Sequence, residues 1–123
     1  MASVSYSDLH NDLNLTTSDI TAVLTENLLD RAIDYLNLAG KGRLSVSNMA
    51  GVAGSKTVTL TSPQRAAVLL IAGELYRRRY LNPSGAIASG IGIQPSTEWS
   101  DMNFRMFVND CADNLQTRTI LRC

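Results

Sequence analysis

The chain of 123 residues is short of the groups on which small proteins usually build chemistry. It has one histidine, His10, and two cysteines, Cys111 and Cys123, with no Cys-x-x-Cys pair. Familiar zinc-ligand spacings are therefore missing, and two cysteines near one end make no disulfide framework. A reduced, cytosolic setting is the expectation. The longest apolar run, Ala66 to Ala72, is far short of the roughly 20 residues that span a bilayer, so no membrane partner is expected. Met1-Ala2-Ser3-Val4-Ser5-Tyr6 has neither a basic nor an apolar leader region, and no secretory signal is expected. Net charge is also missing, because 11 Lys and Arg balance 11 Asp and Glu. That argues against a polycation coating nucleic acid or anionic lipid, and it opposes self-association only weakly.

What is present suits a single packed domain over 1–123. At 45% hydrophobic the chain can bury a core. Ser7 is placed to cap a short helix, Asp8 to Leu13, with Leu9 and Leu13 on one face. Ile20, Val23, Leu24, Leu28, Ala32, Tyr35, Leu36 and Ala39 follow a helical period. They predict an amphipathic helix over 18–39, capped by Thr16-Thr17-Ser18, with Asp19, Glu26, Asp30 and Asp34 on a polar side and Gly40 as the stop. Residues 44–60 switch to β-like alternation at Leu44–Ser47 and Lys56–Leu60, around a Gly-rich centre. A β-hairpin-like insertion with a mobile tip is expected there.

Ser62-Pro63 reads as a cap and first-turn proline opening a central helix. That helix ends at Arg77-Arg78-Arg79 and Asn82-Pro83. Residues 83–95 form an uncharged linker whose Ile87, Ile91 and Ile93 are too apolar for a free tether, so it should rest on its own domain or on a neighbour. A last helix is expected from Ser96 or Thr97, with Trp99, Met102, Met106, Phe107, Cys111 and Leu115 as its apolar stripe. Residues 116–123 alternate weakly and read as an extended tail able to add to something else. The fold class is mainly α: a small bundle of three to four helices with a hairpin-like insertion and an extended C-terminal tail.

Chemical motifs are scarce. No phosphate-binding Gly-Lys loop, nucleophile elbow, zinc-protease helix or calcium loop occurs. Gly85, Gly90 and Gly92 lack the lysine that a phosphate loop needs. His10 between Asp8 and Asp12 reads as a solvated polar face rather than a metal or acid–base cluster. Asp110 and Asp113 beside Cys111 would raise a thiol pKa and so suppress reactivity. Nothing points to convergent catalytic groups, so neither an enzyme nor a cofactor is expected. The run Arg77, Arg78, Arg79 has two readings. One is a helix end salt-bridged to the acidic second segment; the other is a contact to a neighbouring subunit or to nucleic acid. Charge is strongly segregated: residues 1–40 sum to −5, 41–82 to +6 and 83–123 to −1. Opposed blocks would attract helices inside one domain, or join the acidic face of one subunit to the basic face of the next in a heterologous ring.

The order of segments resembles the head-to-tail connector, or adaptor, proteins of tailed phages and related viruses. The residues that carry the resemblance lie within 7–81. They are Asp8-Leu9…Leu13, the Thr/Ser/Asp-capped helix ending Tyr35…Gly40, the β-like excursion, and Ser62-Pro63 opening a helix that ends Leu75-Tyr76-Arg77-Arg78-Arg79. The resemblance implies a structural virion protein at the head–tail neck, assembled in the host cytoplasm. It would form a ring, often of twelve subunits, between portal and tail or stopper protein, and line a passage for DNA without sequence specificity. It also implies an extended tail docking on the portal, with Thr117–Cys123 in the matching position. The expected contact residues are Arg77, Arg78, Arg79, Ile87, Ile91, Ile93, Ile120 and Leu121. The alternative is a small DNA-binding helical module for packaging or regulation, which would need a basic recognition helix.

Overall fold

The computed structural model describes residues 2–41, 43–81 and 101–121. Among them are strand β1 (Ala2–Val4), helices α1 (Tyr6–Leu13) and α2 (Ala22–Ala39), strand β2 (Val58–Leu60), helix α3 (Ser62–Tyr76) and helix α4 (Met102–Leu121). A π-helical turn, Arg77–Leu81, extends α3. The protein is mainly α, four helices with a minor antiparallel β element. The 83–95 linker, with Ile87, Ile91 and Ile93, lies outside the described residues.

Each helix starts on a side chain that satisfies the amides of its first turn. For α1 the cap is Ser5 rather than Ser7: its N–H donates to Asp8 Oδ2 at 2.7 Å. For α2 it is Thr21, whose hydroxyl accepts from Leu24 N at 3.3 Å. The expected start at 18 fails because Thr16 and Asp19 close a turn of their own. Asp19 Oδ2 accepts from Thr16 N (2.9 Å), and Asp19 N donates to the Thr16 carbonyl (3.0 Å). For α3, Thr61 and Gln64 form a reciprocal box at 3.3 and 3.1 Å, which places Ser62-Pro63 inside the first turn. For α4, Asp101 Oδ1 accepts from Asn103 N (2.9 Å) and Phe104 N (3.4 Å). The helix therefore starts at Met102; the expected start at 96 or 97 lies outside the described residues. It runs on to Leu121, where an extended tail was expected from 116, because Gln116-Thr117-Arg118-Thr119 contains neither proline nor glycine to stop it.

The topology follows from three contacts. Tyr35, near the end of α2, lies edge-on to Phe104 at 5.2 Å, and the Arg78 guanidinium, just beyond α3, sits 5.3 Å from the same ring. Helices α2 and α3 thus end at the same end of the bundle and run parallel. Pro63, Ala66 and Ala67 at the start of α3 share a groove with Cys111, Asn114 and Leu115, so α4 runs antiparallel to both. Two parallel helices need a connection that travels back the length of the bundle, and residues 44–57 supply it. Ala50 and Thr57 form an antiparallel bridge across a turn containing Gly51 (φ 125°) and Gly54 (φ 93°), conformations that L side chains rarely adopt. This is the hairpin-like insertion, but its first arm is not the expected Leu44–Ser47, which forms no strand because Asn37 takes both backbone groups of Val46. Its outgoing strand, β2, pairs antiparallel with β1 (Ala2 to Leu60, Ser3 to Thr59, Val4 to Val58), a long-range partner that local alternation does not reveal.

The core joins Val4, Leu9, Leu28, Leu29, Ile33, Leu36, Leu60, Val68, Ile71, Leu75, Phe104 and Val108, all at most 1% exposed. On α4 the buried stripe is Phe104, Val108, Ala112 and Leu115. The expected stripe was rotated from this: Met102 and Met106 are 59% and 57% exposed, Phe107 and Cys111 are half-buried, and Trp99 lies outside the described residues. The reason is Phe104, the larger apolar group, which α2 and Arg78 enclose.

Gly40 is the C-cap at which α2 stops, as expected, but not by a left-handed turn of its own. It has φ −74°, and the left-handed residue is Lys41 at φ 52°. Gly40 is needed for space, since a Cβ there would meet Leu44 Cγ at 2.8 Å. Gly73 differs: a Cβ there would meet Leu13 Cδ2 at 3.6 Å, an ordinary contact. Gly73→Ala should therefore stabilise the protein by about 0.5–1 kcal/mol. Gly40→Ala should destabilise it, both read from urea midpoints at constant m.

Candidate interaction surfaces

The polar side of α2 is not a solvated face. Glu26, Asp30, Asp34 and Asn37, spaced four, four and three residues apart, share one edge of the helix. Together they hold the returning segment. Asn37 both accepts from Val46 N (3.0 Å) and donates to its carbonyl (2.9 Å). Asp34 accepts from the Asn48 amide (3.0 Å), and Asp30 from Met49 N (2.8 Å). Glu26, 1% exposed, accepts from Gly54 N (2.8 Å) on one oxygen and from Lys56 N (2.9 Å) on the other. The tip expected to be mobile is pinned by a buried carboxylate.

His10 is likewise buried, not solvated. Thr25 Oγ1 donates to the Thr21 carbonyl at 2.8 Å, so its one proton is committed. His10 Nε2, 2.8 Å from the same oxygen, must then be the donor, which fixes the Nε2–H tautomer. Tyr6 lies edge-on to the imidazole at 5.2 Å. Burial pushes the His10 pKa below its ordinary 6.5, against an opposing pull from Asp19. Asp8 is engaged elsewhere, with Ser5 and with Arg65 at 3.1 Å, and Asp12 is exposed. No metal-binding cluster occurs among the described residues.

The three arginines diverge. Arg77 is exposed and reaches Glu74 at 3.5 Å. Arg78 is the structural member: it bonds Glu74 (3.1 Å) and Asp101 (2.5 Å) and covers Phe104. Its bond holds the Asp101 carboxyl below the usual range. Arg79 is half-buried and partnered. The partners of Arg77 and Arg78 thus lie on α3 itself and at the start of α4, not on the acidic second segment, where Glu26 and Asp30 bind backbone amides and Asp34 the Asn48 side chain instead. Ile120 and Leu121 fall in the backbone of α4, and their side chains lie outside the described set. Cys111 lines an open groove of about 170 Å³ with Pro63, Ala66, Ala67 and Leu70. Burial first, and Asp110 second, raise its thiol pKa, away from reactivity.

Large apolar side chains reach solvent on several faces: Val23, Leu24 and Leu38 on α2, Val52 at the pinned tip, Leu70 on α3, and Met102 and Met106 on α4. Sequence reasoning placed Met102 and Met106 in the core, and nothing in their spacing distinguishes one α4 face from the next. No helix among the described residues is long and apolar enough to cross a membrane. No protein-family model, curated protein or solved structure matches the chain.

Two outcomes test these contacts. In Glu26→Gln one acceptor oxygen becomes a donor facing a backbone N–H. The variant should lose about 2 kcal/mol and show faster amide exchange at Gly54 and Lys56. For His10, the unfolded chain takes up the proton first as pH falls. Stability is therefore complete above about 6.5 and declines as pH drops through the lowered native value. The melting temperature should fall between pH 7.5 and 5.5, and His10→Gln should flatten that decline.

Proposed function

We infer that this protein is a structural assembly subunit, a head–tail adaptor that forms a ring between portal and tail and surrounds the passing DNA. The observation that carries the reading is the distribution of exposed apolar groups. Val23, Leu24, Leu38, Val52, Leu70, Met102 and Met106 lie on different elements, and Val52 reaches 79% exposure. Singly scattered apolar groups are ordinary on a protein surface; what they add to the ring reading is that a ring subunit meets neighbours on several sides. The resemblance within residues 7–81 supplies the identity of those neighbours: further copies of the chain, the portal, and a tail or stopper protein.

The mechanism is binding alone. The helices keep the shape of the subunit, and the pinned insertion and the chain ends engage neighbours. The rival reading, a DNA-binding helical module, calls for a basic helix, yet the exposed side of α4 carries Asp110 and Asp113.

The protein should sediment as a ring, alone or with the portal co-expressed, and show a central passage by electron microscopy. A strict monomer that ignores the portal, or nanomolar sequence-specific DNA binding, would overturn the assignment. Deleting residues 117–123 should weaken portal capture while the rest of the bundle stays helical by circular dichroism.

A further inference from the structure

We propose that the ring contact is heterologous and joins the outer face of α4 in one copy to the basic end of the bundle in the next; this rests on the ring reading above. The α4 face consists of Met102, Met106, Asp110 and Asp113, all exposed. At 100° per residue these four fall within about 80° of one another, opposite buried Phe104 and Val108. The face is apolar in its first turns and acidic in the next two. Among the described residues Asp110 and Asp113 have no ion-pair partner, so their charge is unspent.

The basic end is assembled by topology. Because α2 and α3 run parallel, Lys41 and Arg43, which follow α2, and Arg77, which follows α3, come to the same end of the bundle, and all three are exposed. Lys41 and Arg43 have no ion-pair partner among the described residues; Arg77 has only the exposed pair with Glu74. Leu38, 54% exposed, lies one turn before Lys41. Each surface therefore offers an apolar pad beside a charged patch, and the charges are opposite. This complementarity is what selects a second copy as the occupant. The two surfaces are different parts of the subunit, so the contact cannot be two-fold symmetric. It propagates head to tail and closes into a ring when the rotation allows.

Most of the other described acidic groups are already engaged. Asp8 is held by Arg65 and Ser5, Glu26 and Asp30 by backbone amides, Asp34 by Asn48, and Glu74 and Asp101 by Arg77 and Arg78. Asp12 and Asp19 also stay exposed on the N-terminal third, but among the described residues α4 sets two unpaired carboxylates on one helix face with exposed methionines, Met102 and Met106.

The test uses two charge-reversed full-length proteins, Asp110→Lys/Asp113→Lys and Lys41→Glu/Arg43→Glu, each checked for native helicity. By sedimentation velocity each alone should assemble at least about tenfold more weakly than wild type, since like charges would meet. An equimolar mixture should regain wild-type assembly, because every contact in an alternating ring then pairs opposite charges. Wild-type assembly should also weaken between 0.1 and 0.5 M salt. If wild type forms rings and both variants do so equally well, the ring reading stands and this interface is wrong. If the variants stay apart and the mixture does not rescue them, these two surfaces do not face each other. A wild type that remains monomeric even with the portal removes the ring reading and this contact with it.

Discussion

The carboxylate of Glu26, buried in α2 and shared between the amides of Gly54 and Lys56, is the contact on which the architecture turns. Two parallel helices in sequence cannot be joined by a short turn. At 1.5 Å per residue the 18 residues of α2 extend about 27 Å, and the chain must return that distance before α3 can begin. A returning segment outside a sheet leaves its amides and carbonyls without ladder partners, and burying them unpaired is costly. The stripe from Glu26 to Asn37 supplies the missing partners from the helix itself. It thereby sets the position of Val58–Leu60, the strand that β1 pairs with, and the point at which Thr61 caps α3.

This arrangement redistributes charge between sequence and surface. The N-terminal third is strongly acidic as a string, yet most of its carboxylates face the protein's own backbone or Arg65. The arginine run, continuous in sequence, separates into an exposed Arg77 and an Arg78 that locks α3 to the start of α4 over Phe104. Helical geometry requires such a separation, since consecutive residues point about 100° apart. The long excursion between α3 and α4 is not needed to cover distance, because Arg78 and Asp101 bring its two ends into contact.

Legibility followed the range of the interactions. Helix α2 was readable from Leu28, Ala32, Tyr35 and Leu36 because a 3.6-residue period is a local signal, and the start of α3 was readable to within one residue from Ser62-Pro63. The β1–β2 pair was not, because it joins residues more than fifty positions apart and each strand has only three residues. The burial of His10 depends on Thr25 and Tyr6 enclosing it, and that enclosure exists only after α1 has docked. The face of α4 was misjudged because Met102, Phe104, Met106, Phe107 and Val108 offer several apolar stripes. Only the ring of Phe104 between Tyr35 and Arg78 decides among them. The expected contact residues fared according to the same rule: Arg77 stayed at the surface, and Arg78 was drawn into the fold by a partner 23 positions away.

The rival readings now differ in a physical way that composition could not supply. A module that reads DNA must present positive charge on an element able to follow a groove or a phosphate backbone. Here the exposed cluster of Lys41, Arg43 and Arg77 sits at one end of the bundle, on the residues after a helix C-cap and on a widened helical turn. The exposed face of α4 carries Asp110 and Asp113, which would repel phosphate along the very surface that could lie against a duplex. Under the proposed assembly the same two surfaces, on different copies, would attract each other. Within the subunit Asp8 pairs with Arg65 and Arg78 with Asp101; under the proposed assembly Asp110 and Asp113 would meet Lys41 and Arg43 of another copy, and a heterologous association of identical subunits has a ring as its closed form.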